Sequence, residues 1–211
     1  MALNERRPAL QRLLLPLAAI AFFVETVQGM AESGERVHVR GDVISLDDAT
    51  LLVHSREGAD VSLHLTDDWA ATGVVPASLA DIKVGVFIGT ASAPQSDGSQ
   101  RALEVVVFPE AMRGVGEGHY PWDLAPESKM TNANIANAVD GVKGRTLSLA
   151  FKGGEREVTI PSDAPIVTFA PATKSDIAPG AHVFVQAVRQ ADGSLSANRV
   201  VVGKSGVVPP M

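Results

Sequence analysis

The chain has 211 residues, 45% hydrophobic and 20% charged, with 24 acidic against 18 basic side chains and no cysteine. A net charge of −6 repels phosphate backbones, and no Lys/Arg stripe with interleaved aromatics offsets it, so nucleic-acid binding is disfavoured. Without cysteine the chain has neither disulfide staples nor a residue to carry a lipid anchor, and the hydrophobic core must supply its stability.

At the start, Arg6, Arg7 and Arg12 precede the apolar run Leu13 to Val24, which Glu25 ends. That is the layout of a secretory signal peptide. The run of 12 residues is shorter than the roughly 18–20 needed to span a bilayer as a permanent helix. Small residues suited to cleavage follow at Gly29 and Ala31. Residues 1–29 are therefore expected to be a signal peptide, with a periplasmic or secreted mature protein. Arg6-Arg7 followed by Leu10 weakly resembles a twin-arginine signal, and a retained signal anchor is the other alternative. The remainder carries 15 basic against 22 acidic residues and no apolar run of membrane-spanning length, so the mature protein is expected to be soluble.

An internal repeat dominates that remainder. Pro76-Ala77 matches Pro171-Ala172, Asp81-Ile82 matches Asp176-Ile177, and Gly85 matches Gly180. Gln95 with Asp97-Gly98-Ser99 matches Gln190 with Asp192-Gly193-Ser194, and Val105-Val106-Val107 matches Val200-Val201-Val202. With Ala102 and Ala197, all pairs are 95 apart, giving 13 identities over positions 76–107, where unrelated sequence would give about two. Upstream the match is looser. Duplication is the economical reading.

Each copy reads as five short strands bounded by turn residues. In the first copy they are expected near Val37–Ser45, Thr50–His54, Val61–Leu65, Val86–Ser92 and Leu103–Phe108. In the second they fall near Asn137–Val142, Thr146–Phe151, Glu155–Ile160, His182–Val188 and Ala197–Val202. Val61, Leu63 and Leu65 alternate with Ser62 and His64, so one face is core. A longer stretch between the third and fourth strands has room for one short helix or helical turn. This is the element order of an OB-like barrel. The expected fold is all-β: two tandem OB-like five-stranded barrels, with small β-sandwich modules as the alternative. The division is module 1 at 36–108, a connector at 109–135, module 2 at 136–203 and a tail at 204–211. Gly85 and Gly180 are expected to mark a backbone entry where a side chain would clash.

Most motifs with a chemical look have a structural explanation. Asp97-Gly98-Ser99 and its copy lie between apolar strands and lack the full calcium-loop pattern, so they read as hairpin turns. Gly114-Val-Gly116-Glu-Gly118 lacks the Lys-Ser/Thr ending of a phosphate loop and reads as a flexible loop. There is no Gly-x-Ser-x-Gly and no His-Glu-x-x-His. His38, His54, His64 and His182 fall in predicted strands without metal-ligand spacing, as surface or satisfied histidines. No cofactor and no catalytic residue is indicated.

The connector, about 27 residues with no repeat counterpart, is too rich in large side chains for a plain linker. It holds the sole tyrosine, Tyr120, and one of two tryptophans, Trp122. Tyr120 and Trp122 could staple the two barrels. Alternatively Arg113, Glu117, His119, Tyr120, Trp122 and Asp123 line a binding surface at the junction, where ligand sites often occur. Met112, His119 and Met130 are candidate soft ligands for copper.

The run from Phe108 through Met112-Arg113-Gly114 and Gly118-His119-Tyr120-Pro121-Trp122-Asp123-Leu124, then Met130-Thr131-Asn132-Ala133 and the ending Val208-Pro209-Pro210-Met211, resembles a group of exported bacterial proteins. These carry an OB-like domain of unknown function 5666, and some are labelled metal ABC transporter permease, a label at odds with a chain that has no multiple membrane spans. The resemblance implies a fold and a compartment, and no activity. The expected function is a non-enzymatic binding or structural module of the cell envelope, holding a small ligand, a peptide or an envelope protein. Periplasmic copper handling and a hydrolase using connector carboxylates are the alternatives.

Overall fold

Turn residues divide the chain into short segments whose apolar positions alternate, and a period of two leaves strands as the only way to bury one face. The computed structural model describes residues 34–141 and 144–211; the signal peptide expected at 1–29 lies outside them. Among the described residues the strands are β1 (Arg36–Asp47), β2 (Thr50–Ser55), β3 (Asp60–Pro76), β4 (Phe87–Pro94), β5 (Gln100–Ala102), β6 (Val105–Val107) and β7 (Gly118–Pro121). They continue with β8 (Lys129–Gly141), β9 (Gly144–Phe151), β10 (Gly154–Ile160), β11 (Ile166–Pro171), β12 (His182–Arg189) and β13 (Leu195–Gly203). The expected helical turns are single 3-10 turns, Leu79–Asp81 and Lys174–Asp176. Each is closed by a capping box, from Ser78 with Asp81 and from Thr173 with Asp176. The protein is all-β, and no helix among the described residues is long and apolar enough to cross a membrane.

A closed five-stranded barrel forms from β1, β2, β3, β13 and β12, sealed by the parallel β3·β13 pairing. Closure removes free sheet edges and with them the sandwich alternative. Its interior holds Val39, Val43, Leu51, Val53, Leu63, Leu65, Val183, Val185 and Val200 among others, with Trp69 at one end. The strands β4, β8, β9, β10 and β5 form a second ring, sealed by the parallel pair Thr159↔Arg101. It is filled by Ile82, Ile88, Ile135, Leu147, Leu149, Val158 and Ile160. At about 1.5–3 kcal/mol per buried aliphatic side chain, each ring has a substantial core without disulfides.

The strands are exchanged between the halves. The first ring combines β1–β3 with β12 and β13 from the far end of the chain, and the second combines β8–β10 with β4 and β5. The sequence segments 36–108 and 136–203 therefore each contribute to both rings. The cause lies in β3, whose first part pairs with β2 in the first ring while its later part, Thr72–Pro76, pairs antiparallel with β11. The chain leaving β3 is then already beside the second ring. In the β3·β11 ladder Val74 opposes Phe169, its own counterpart 95 residues on. Likewise Ala71↔Val200 is matched by Ile166↔Val105. The pairing maps onto itself when the halves are interchanged, which places a local two-fold axis beside Val74 and Phe169. A third apolar cluster of Val74, Val106, Val167, Phe184, Val201 and Met211 fills the junction.

The structure adjusts several expectations. The connector is not free of strands, since β7 and the first half of β8 lie within 109–135. The bulges at Val43/Ser45 and Ile135/Asn137 are 92 residues apart rather than 95, because from Ile135 to its partner Leu149 the β8–β9 hairpin is four residues longer than β1–β2 from Val43 to Val53, while β9–β10 is one residue shorter than β2–β3. That shift hid the first half of β8 from a fixed-offset comparison. Gly85 and Gly180 have φ of 86° and 81° with open space where a Cβ would stand, so they are required by conformation and not by crowding. Asp97-Gly98-Ser99 and its copy are turns: Gly98 and Gly193 have positive φ, and the Asp97 and Asp192 carboxylates accept from the main-chain N–H of Ser99 and Ser194.

Candidate functional site

The junction of the rings carries an open cavity of ≈ 460 Å³, within the size range of small-molecule sites. Its floor comes from positions that recur at the 95-residue spacing: Val106 with Val201, and Gly89 with Phe184. Gly89 stands where the other half has a phenylalanine, and Asn132 and Phe108 take the space that its side chain would need. A Cβ at Gly89 would come within 2.6 Å of Asn132 Oδ1 and 3.0 Å of the Phe108 ring. The wall is the connector, which contributes Met112, Val115, Gly116, Glu117, Tyr120 and Trp122. Met130 and Asn132 of β8, Phe169 of β11 and Met211 complete it, with Arg36 and Arg199 also lining the opening.

Of the six predicted binding residues, Glu117, Tyr120 and Trp122 line this cavity. Trp122 also packs into the junction cluster, its ring 4.3 Å from that of His38 and 6.3 Å from that of Phe184, so it packs against the first ring and walls the cavity at once. Tyr120 meets Trp122 edge-on at 6.2 Å, and its burial raises the phenol pKa. Glu117 Oε1 accepts from the main-chain N–H of Lys152 at 2.8 Å, tying the loop to β9.

The other three do not line it. Asp123 Oδ1 is hydrogen-bonded to His38 Nδ1 at 2.9 Å and accepts from Arg40 at 2.6 Å. Burial alone would raise its pKa, but the hydrogen bonds from Arg40 and His38 outweigh it and hold the carboxyl at about 2. Asp123 thus clips the connector to β1. Arg113 forms a bidentate pair with Glu110 and donates to Asn134 and to the Gly85 carbonyl, fastening the connector to the second ring. His119 Nδ1 is 2.9 Å from Thr131 Oγ1, and its ring stacks on Phe151 at 6.0 Å. Its pKa is lowered, mainly by burial and further by Arg156 and Lys129. Of the candidate copper ligands, Met112 and Met130 line the cavity and His119 does not. Among the described residues no three His, Asp or Glu side chains could hold a metal ion together.

Reading the sequence alone missed Asn132, Arg36 and Arg199. Asn132 is buried, with Nδ2 donating to the Val115 carbonyl at 3.2 Å, while its Oδ1 has no partner. Trp122 Nε1 is likewise buried without an acceptor. Burying a polar atom unpaired costs about 1–3 kcal/mol, and here two such atoms belong to residues that line one cavity. A second hollow of ≈ 550 Å³ is lined by Arg40, His54 and His182, but these are already paired with Asp123, Asp60 and Asp42.

Comparison with protein-family models, curated proteins and solved structures finds no match to this chain. The functional reading rests on the site.

Proposed function

We propose that this is an exported, non-enzymatic binding module of the cell envelope, whose junction cavity takes a small organic ligand. The export follows from the charged and apolar layout of residues 1–29, and the resemblance to exported OB-like proteins agrees with it. The observation that carries the binding role is the cavity itself. It is mainly apolar, is walled by the segment that has no repeat counterpart, and is lined by Trp122 and Asn132, each of which carries a buried polar atom without a partner.

The test is native mass spectrometry of the protein isolated from its producing cell, with small molecules released by denaturation and identified. A small molecule should accompany the wild type and be lost from Gly89→Val, which pushes the lining residues Asn132 and Phe108 out of place, and from Trp122→Ala. Folded variants that carry the same molecule in the same amount would overturn the assignment.

A copper-handling reading keeps one observation in its favour: the thioethers of Met112, Met130 and Met211 line the same cavity. Titration with Cu(I) under reducing conditions decides it, since stoichiometric binding lost in Met112→Leu and Met130→Leu is required.

A further inference from the structure

We infer that the ligand is an organic anion with a flat, apolar body, such as an aromatic carboxylate or sulfonate; this rests on the binding role proposed for the cavity. The charge follows from two arginines. Arg36 on β1 and Arg199 on β13 both line the cavity and are exposed. Their main chains pair within the sheet, but neither side chain has a hydrogen bond or ion pair to a described residue. By contrast Arg40, Arg56, Arg101, Arg113, Arg145 and Arg189 each hold a carboxylate. In a chain with 24 acidic side chains, two unengaged guanidiniums on one cavity are a fork aimed at a negative group. The one acid lining the same cavity, Glu117, has an oxygen engaged by the Lys152 N–H.

The internal comparison points the same way. Arg199 occupies the position that holds Glu104 in the other half, in the corresponding strand irregularity. There the carboxyl turns inward and is fully buried, accepting from the Ala91 N–H at 2.8 Å. Here the guanidinium stays at the cavity. The body of the ligand is read from the walls. Phe108 and Phe169 meet edge-on at 5.2 Å, Trp122 and Phe184 stand 6.3 Å apart, and the thioethers of Met112 and Met130 are soft partners for a planar π-face. The ring is held by apolar contact, and the anion is held at the mouth by Arg36 and Arg199.

Calorimetric titration of the full protein with anilinonaphthalene sulfonate and with neutral anilinonaphthalene tests this. The sulfonate should bind about tenfold or more tightly than the neutral probe, equivalent to about 1.4 kcal/mol, and the advantage should shrink with added salt. Arg36→Gln with Arg199→Gln should erase that advantage, bringing the two probes to equal affinity; a sulfonate preference that persists in this variant overturns the role of the two arginines. Equal binding of the two probes, both lost in Gly89→Val, keeps the cavity as a site and overturns the anion assignment. Failure of both probes to bind overturns the cavity and the anion together.

Discussion

The carboxyl of Glu104 gives the sharpest physical prediction. It is fully buried at the break between β5 and β6, with Oε1 accepting from the Ala91 N–H and Oε2 unpaired. Burial is the largest influence on it and raises the pKa from 4.5 to about 8, against the Ala91 hydrogen bond and the charge of Arg40, which lower it. Between these values the folded protein holds one more proton than the unfolded chain, so raising the pH favours unfolding. The stability linked to this group is complete below pH 4.5 and is lost as the pH rises through about 8. At about 1.4 kcal/mol per pH unit, that interval corresponds to a loss on the order of 5 kcal/mol. Glu104→Gln keeps an acceptor for the Ala91 N–H and never ionises. Urea unfolding followed by circular dichroism, for both proteins across about pH 5 to 9, isolates the effect because other titrations cancel. Wild-type stability should fall over this range relative to the variant. Parallel profiles would refute the claim that a neutral carboxyl is built into the fold.

Asp123→Ala should lower stability at neutral pH by about 2 kcal/mol, because it strips the buried Arg40 of a charged hydrogen-bond partner. The wild type should lose the same contribution in acid, since a carboxyl held at about 2 stabilises the fold above pH 3.8 and releases it as the pH falls through about 2; acid titration of both proteins, followed by circular dichroism, checks the sign. Leu63→Ala in the first ring and Leu147→Ala in the second, both fully buried, should each cost about 2–5 kcal/mol. Because strands are exchanged between the rings, either change should shift one shared unfolding transition, seen alike by Trp69 fluorescence and by circular dichroism; two separate transitions would contradict that coupling.

Much of the fold was legible because its causes are local. Val61, Leu63 and Leu65 alternate with Ser62 and His64, and the structure buries Leu63 and Leu65 while exposing Ser62 and His64. Asp-Gly at 97–98 and 192–193 marks turns for the same reason: only glycine adopts the required φ without strain. The connector's importance was legible too, since Tyr120 and Trp122 are costly residues to place in a linker. The actual set of cavity residues was not. Arg113 and Asp123 have the chemistry of binding residues, and only their partners Glu110, His38 and Arg40 show them to be clips.

What the amino-acid order determined by itself is most of the strands and turns, because these depend on periods of two and on single φ values; β7, β11 and the first half of β8 were not among them. Tertiary structure alone decided which strands meet. β1–β3 would present the same apolar face to β4, β5 and β6 as to β12 and β13, since Val105-Val106-Val107 of β6 and Val200-Val201-Val202 of β13 are the same residues. No local signal separates those pairings. The choice is made where β3 runs on to pair with β11 across the two-fold axis, and that choice brings Gly89, Arg36 and Arg199 from distant parts of the chain to one cavity.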